Sequence, residues 1–474
     1  ATPRLALPHQ KARYVGEPLA VVAAEDRYVA EDAAAQVVVE YEPLPPVTDV
    51  GRATAPGAAL LHDDVEANTY YRSAHGTGDT DEAFATAAHV FRRRLHINRH
   101  LAMPMEARGI LARYDRASGE LTVWLSTQAP HTQRFLLALA LGLPENRIRV
   151  VAPAVGGAFG PKDFVFPEDI CVCHATMQLG RPVRWIEDRR EHLIAASHAK
   201  EQEIELEAAV AADGHILAMR GRFVSDTGAF AYSIPAGLVD CMLAATGLPG
   251  PYALERYDYE VAGVLTNKTP VAPYRGVGMA SAQTAREVLL DEIARELGLD
   301  RAELRRRNLL PSGPHVSCTG MQYDDGSFTE SFETALEAIG YDEFLTCQAA
   351  ARAEGRYLGL GVSPFVEMTS LGTLSGLQCG FPIPSHDNAT VSIDLGGKVT
   401  VAVGTCSHGQ GHATTFAQLA ADTLGIDVAD VRVIDGDTER VPFGMGTWSS
   451  RSATFGGGAI VKAATEVREK ILRV

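Results

Sequence analysis

The chain has 474 residues, 46% hydrophobic and 22% charged, which excludes disordered and collagen-like classes and leaves room for roughly three domains. Its formal net charge of −16 at pH 7 disfavours a nucleic-acid or anionic-membrane partner, because phosphate-rich surfaces require a basic face. No apolar run is long enough to span a bilayer, and the seven cysteines are scattered, with only Cys171 and Cys173 close together, which points to a reducing, cytoplasmic compartment.

In chain order, residues 1–50 read as part of a small α/β unit, with Tyr14 to Pro46 running strand, short helix, strand and a Pro-rich exit. A Gly/Ala/Asp-rich linker is expected over residues 51–80, a first large region over 81–325 and a second over 326–474. Leu121 to Val151 reads strand, loop, helix, strand, and Val399 to Ile434 reads the same way. Their ends fall into register without a gap, Leu141-Gly142-Leu143 to Val151 against Leu424-Gly425-Ile426 to Ile434, and a glycine-rich loop follows each. Two related mixed α/β domains are therefore expected, presenting their loops to a shared cleft.

Five loops carry the candidate chemistry. In STQAPH, Gln128 could donate an amide N–H into the cleft or cap the following helix. GGAFGPKD resembles a phosphate loop superficially, but Pro161 stands before Lys162 and no Ser or Thr follows; what remains is a Gly157-containing loop with one aromatic, Phe159, and one carboxylate, Asp163. PYRGVG sets Arg275 in a Pro273/Gly276 turn ahead of a helix marked by Leu290, Ile293, Ala294 and Leu297; Gly298 stops it and Asp300 opens the next. Arg275 could instead pin its own loop through backbone carbonyls. GTCSHGQGH places Gly409, Gln410 and Gly411 before a helix, an anion seat. Its rival is a metal site on His408 and His412 beside Cys406, which Gly409 and Gly411 oppose by interrupting the helix. GTWSSRS offers Ser449, Ser450 and Arg451 as donors suited to phosphate or pterin edges, or a polar turn.

As an ordered set, STQAPH, GGAFGPK, RPVRWIEDRREHL, DTGAF, PYRGVG with RRRNL, GQGH and GDT…GTWSSRS resemble the molybdenum-binding large subunit of the xanthine dehydrogenase, aldehyde oxidase and carbon monoxide dehydrogenase family, over nearly the whole chain. The resemblance implies an α+β fold: a small hammerhead domain, here partial, then two intertwined domains around a molybdenum–molybdopterin cofactor, often in its cytosine dinucleotide form. It implies that Gln128 hydrogen-bonds an oxygen ligand of molybdenum, that Phe159 lies beside the metal, and that Arg275 borders metal and substrate. Gly157, Gly409, Gln410, Gly411, Ser449, Ser450 and Arg451 would hold the cofactor, and Asp163 and Val277 would face substrate. The resemblance also implies that the metal is held by the pterin dithiolene and not by protein ligands. Electrons would leave through iron–sulfur and FAD partner subunits, in a dimer of heteromers.

In that family a glutamate near the C-terminus takes the proton from a metal-bound hydroxide or water. Its match is expected beyond Val474, in a continuation or a second chain, so this polypeptide alone should be nearly inactive; losing a general base costs roughly 10²–10⁴-fold in rate. The cysteine that carbon monoxide enzymes carry in the PYRGVGM loop is absent, as is the xanthine-type arginine before Tyr252. Aldehydes or aromatic N-heterocycles are the expected substrates. A non-catalytic truncated homologue and a histidine-metal hydrolase are the competing readings.

Overall fold

The computed structural model describes residues 4–231, 234–374 and 385–473. Its largest layer is a five-stranded sheet in the order Thr69–Gly76, Tyr257–Leu265, Ile216–Gly228, Gln202–Val210, His89–Ile97, with only the second and third strands parallel. The alternation of QEIELEAAV explains its two faces. Ile204, Leu206 and Ala208 point into the core, while Glu203 and Glu207 meet Arg94, His96 and Arg92 on the other face. The helices Ile234–Thr246 and Val277–Glu296 close the apolar face, where Leu289, Leu290, Ile293 and Ala294 join the core as the 3.6-residue spacing predicts. Gly298, at φ +67°, ends the second helix, and the Asp300 carboxylate accepts from Ala302 N and Glu303 N to cap Arg301–Asn308.

The duplication is present in the backbone. The strand Glu120–Leu125 leads into the helix Pro130–Leu141, a 3-10 turn Glu145–Arg147 and the parallel strand Ile148–Val151. The second copy repeats each part as Val399–Val403, His412–Leu424, Val428–Asp430 and Val431–Ile434, again parallel. Both copies add an antiparallel strand, Gly109–Asp115 and Ala389–Ile393. The copies touch directly, with Thr438 N donating to Val150 O (3.1 Å) and Ala152 N to Gly436 O (2.7 Å).

Three sequence expectations change. The two strands read between Tyr14 and Pro46 do not form a ladder among the described residues; only the helix Arg27–Ala34 does, leaving Val37, Val38, Val39 and Tyr41 exposed on unpaired extended chain. Residues 51–80 are not a free linker. Thr69–Gly76 is an edge strand of the main sheet, and Asn68 ties the preceding turn by donating to Ala53 O and Ala59 O and accepting from Leu61 N. The expected division at residue 326 does not separate two cores, because Phe332, Leu336 and Tyr341 pack into the core of the first region and the second copy's core begins near Ala389.

Candidate active site

The strand-to-helix loop of the first copy carries Gln128, 3% exposed, just ahead of Ala129, behind which Pro130 starts its helix. Its amide spans both halves of the molecule: Nε2 donates to Thr447 O (2.9 Å) and Oε1 accepts from Gly160 N (3.1 Å). The main chain repeats the join, with Thr447 N donating to Gln128 O (3.0 Å) and Gln128 N to Lys162 O (3.1 Å). Gly446 packs against this strip so closely that a Cβ would lie 2.4 Å from Gln128 O. One side chain therefore fastens three of the five loops.

The Gly156–Asp163 loop is built on Glu106, whose carboxylate accepts from Gly156 N (2.7 Å), Ser126 Oγ (2.9 Å) and the buried Lys162 Nζ (2.8 Å). Phe159 stands on this frame at φ +60° and is 41% exposed, and its carbonyl accepts from Arg275 N (3.0 Å), which brings in the fourth loop. Asp163 is half-buried; burial pushes its carboxyl up to about 7, opposed by the charge of Arg451. The fifth loop joins through Cys406 N, which donates to Thr447 Oγ1 (3.1 Å), and through Cys406 Sγ against Thr127 O.

Arg275 is exposed, and its guanidinium makes no hydrogen bond or ion pair among the described residues. The alternative in which it pins its own loop is thus not what the structure shows. Three helices open at these loops without a side-chain cap: Pro130–Leu141 behind Ala129, Val277–Glu296 behind Gly276 and His412–Leu424 behind Gly411. Their first-turn N–H groups and aligned dipoles favour negative charge in front of them. Gly409 (φ +117°) and Gly411 (φ +79°) have no atom within 4 Å of where a Cβ would stand, so this rim is open as well as conformationally left-handed.

Not every expected residue faces outward. Arg451 is fully buried: its guanidinium bonds Asp387, Gly446 O and His386 O and lies over the Trp448 and Phe455 rings. It builds the GTWSSRS loop from within, in place of the exposed donor expected for a cofactor edge. Ser449 and Ser450, at φ +49° and +51°, form the surface of that loop, with Ser449 O accepting from Ser370 N (2.9 Å). Gln410 is exposed but folds back on its own loop, accepting from His408 N (2.7 Å) and meeting His408 Nε2 (2.9 Å). Val277 is left-handed at φ +44°, a strained state for a β-branched residue.

The helix starts only at His412, and Gly409 and Gly411 break the run before it, so His408 and His412 do not share a helical face. Burial, aided by His408, pushes the His412 imidazole down to about 4, and it stacks on Phe416. No group of three or more His, Cys, Asp or Glu among the described residues is placed to hold a metal ion. Sequence reasoning did not single out Glu106 or Ser370. Glu106 lies fifty residues before the loop it organises, with no local signal of that role.

The comparisons agree along the chain. The aldehyde oxidase and xanthine dehydrogenase a/b hammerhead domain model matches residues 1–45, and molybdopterin cofactor-binding domain models match 61–309 and 334–474. The nicotine 6-hydroxylase large subunit of Paenarthrobacter nicotinovorans is 40% identical over 463 residues, 98% of this chain and 57% of that protein. The carbon monoxide dehydrogenase large chain of Hydrogenophaga pseudoflava is 33% identical over 495 residues, 99% of this chain and 60% of that protein. The solved quinoline 2-oxidoreductase of Pseudomonas putida 86 superposes with a TM-score of 0.95 at 41% identity, over 99% of this chain and 60% of that one. The chain thus spans about three fifths of the length of the relatives it matches. With both molybdopterin-binding models covering the two copies of the repeat, and the five loops joined where those copies meet, the chain belongs to the molybdopterin-binding large subunits of the xanthine dehydrogenase, aldehyde oxidase and carbon monoxide dehydrogenase family.

Proposed function

We propose that this chain is the molybdopterin-binding portion of a hydroxylase whose substrate is an aromatic N-heterocycle, with iron–sulfur and flavin subunits taking the electrons. The observation that carries the reading is the uncommitted Arg275 guanidinium on a set of hydrogen-bonded loops from which three helices open without a side-chain cap. An anionic, phosphate-bearing cofactor is the ligand such a rim favours. Bound there, the molybdenum cofactor supplies the two-electron acceptor and the water-derived oxygen.

The chain's own residues bind and orient. Gln128 uses one N–H on Thr447 O and would have its second to hold the cofactor. Gly157, Gly409, Gln410, Gly411, Ser449 and Ser450 line the cofactor, in a mononucleotide or cytosine dinucleotide form, and Arg451 holds the serine turn rigid behind them. Asp163, with its carboxyl at about 7, can present a protonated oxygen to a ring nitrogen near neutral pH, while Phe159 and Val277 offer apolar contact. The relatives named for nicotine and quinoline favour a heterocycle over an aldehyde.

The test is the whole protein produced with its partner subunits and assayed for molybdenum, pterin nucleotide and oxidation of pyridine and quinoline substrates against a panel of aldehydes. About one molybdenum per chain with heterocycle hydroxylation supports the proposal. Molybdenum with aldehyde oxidation alone would move the substrate class, and a protein without molybdenum or turnover would leave the non-catalytic reading.

A further inference from the structure

The Arg275 loop is tied at its entry, apex and exit, and the exit tie comes from a residue outside all five loops. At the entry, His198 N donates to Pro270 O (3.0 Å) and Ala272 N donates to His198 O (2.8 Å). At the apex, Arg275 N donates to Phe159 O (3.0 Å). At the exit, Lys200 Nζ donates to Val277 O at 2.6 Å, with the Tyr274 ring centroid 5.7 Å from the ammonium.

Both ends of that last bond are unusual. Lys200 is buried and left-handed at φ +68°, and Val277 is left-handed at +44°. Each conformation is strained and persists only where surroundings enforce it. The enforcement on the far side is steric: at Gly278 a Cβ would lie 1.9 Å from Asp240 O and 2.3 Å from Ala244 N, so the start of the Val277 helix is pressed onto the Ile234–Thr246 helix. Asp240, buried on that same helix, attracts this ammonium from a distance, with no ion pair between the two and no hydrogen bond to either of its carboxylate oxygens. Burial pushes the Asp240 carboxyl up to about 6 against the Lys200 charge and backbone N–H; the Lys200 ammonium is itself lowered by burial, with Asp240 and Glu367 opposing.

We propose that Lys200 is a positioning residue: backed by Asp240, it holds the strained Val277 carbonyl and thereby sets where the free Arg275 guanidinium reaches. The proposal rests on the reading of Arg275 as a site residue, and it adds a lysine from outside the five loops and an aspartate behind it.

The experiment uses the complete protein with its partners, as wild type, Lys200→Met and Lys200→Arg, and reads amide hydrogen exchange at Arg275 and Val277, molybdenum content, and kcat with KM. In Lys200→Met the two amides exchange at least about ten-fold faster and turnover falls about 10–100-fold, the scale of an ångström of misplacement, at wild-type molybdenum content. Lys200→Arg, which keeps a donor and a charge, restores exchange protection and part of the turnover. Wild-type exchange in Lys200→Met overturns the proposal, as does a parallel fall of molybdenum and activity in both variants without a change in exchange. If the wild type holds no molybdenum, the functional reading fails, while exchange still decides whether Lys200 pins the loop.

Discussion

Replacing Gly160 by alanine tests how tightly the Phe159 and Arg275 loops are joined. Gly160 sits at φ +118°, and an added Cβ would lie 2.2 Å from Pro273 O, 2.9 Å from Pro273 C and 3.2 Å from Tyr274 Cα. All three obstacles are backbone, so no side chain can swing aside. Carbon and carbonyl oxygen ordinarily approach to about 3.3–3.6 Å, and the loops must part by roughly 1 Å. That separation breaks Arg275 N to Phe159 O and strains Gly160 N to Gln128 Oε1, two bonds worth about 0.5–1.5 kcal/mol each. The left-handed backbone adds about 1–2 kcal/mol for a residue with a Cβ. Together the cost is about 2–5 kcal/mol, which at about 1.4 kcal/mol per decade speeds exchange of the Arg275 amide by more than ten-fold. Gly298→Ala is the matched control: it is also left-handed, at φ +67°, but has nothing within 4 Å of its Cβ position, so it should show the conformational cost alone. Hydrogen exchange on both variants makes the comparison. Equal exchange at Arg275 in the two would refute the claim that backbone contact joins these loops.

Three further outcomes follow from the same geometry. Arg275→Lys in the assembled protein should lower turnover about ten-fold or more at unchanged molybdenum content, because an ammonium loses the planar two-point grip of a guanidinium; steady-state kinetics beside metal analysis reads it, and equal activity would return Arg275 to a bystander. Glu187 should make the protein acid-sensitive: burial raises its carboxyl, but the His192 hydrogen bond and the Arg108 charge outweigh it and hold the group at about 2, so its contribution is complete above about 4.5 and is lost as pH falls toward 2. Thermal unfolding of Glu187→Gln against wild type across that window should show a destabilisation that shrinks as the pH drops, and a pH-independent difference would refute the assignment. Asp163→Asn has the opposite sign: with its folded carboxyl at about 7 against an ordinary 3.8, the wild type loses stability as pH rises through that window, so the variant should gain relative to wild type at pH 8 over pH 4 by the same melting assay.

What the sequence made legible was periodic or repeated, and what it hid was long-range. The strand, loop, helix and strand of each copy could be read because Leu141 to Val151 and Leu424 to Ile434 align without a gap, and the backbone repeats them and adds a 3-10 turn to each. The Val277 helix and its Gly298 stop were equally local, fixed by 3.6-residue spacing and by the one residue that turns left-handed without cost. Composition misled at 51–80, where Gly, Ala and Asp suggested a linker; Asn68 and the edge strand after it decide the outcome by contacts their neighbours do not announce. The site shows the same limit. Its loops were visible as glycine-rich punctuation, but whether a polar side chain in them faces a ligand or the interior depends on partners tens to hundreds of residues away. Arg451 turns inward onto Asp387, whereas the Arg275 guanidinium has no ion pair or hydrogen bond among the described residues. The two arginines are alike in local context, each inside a glycine-bearing turn before a helix, so the difference between anchor and free cation is set by tertiary structure. That distinction also orders the proposed chemistry: the inward arginine ties the serine turn to Asp387, and on the function proposed above the exposed one would be the guanidinium offered to an anion.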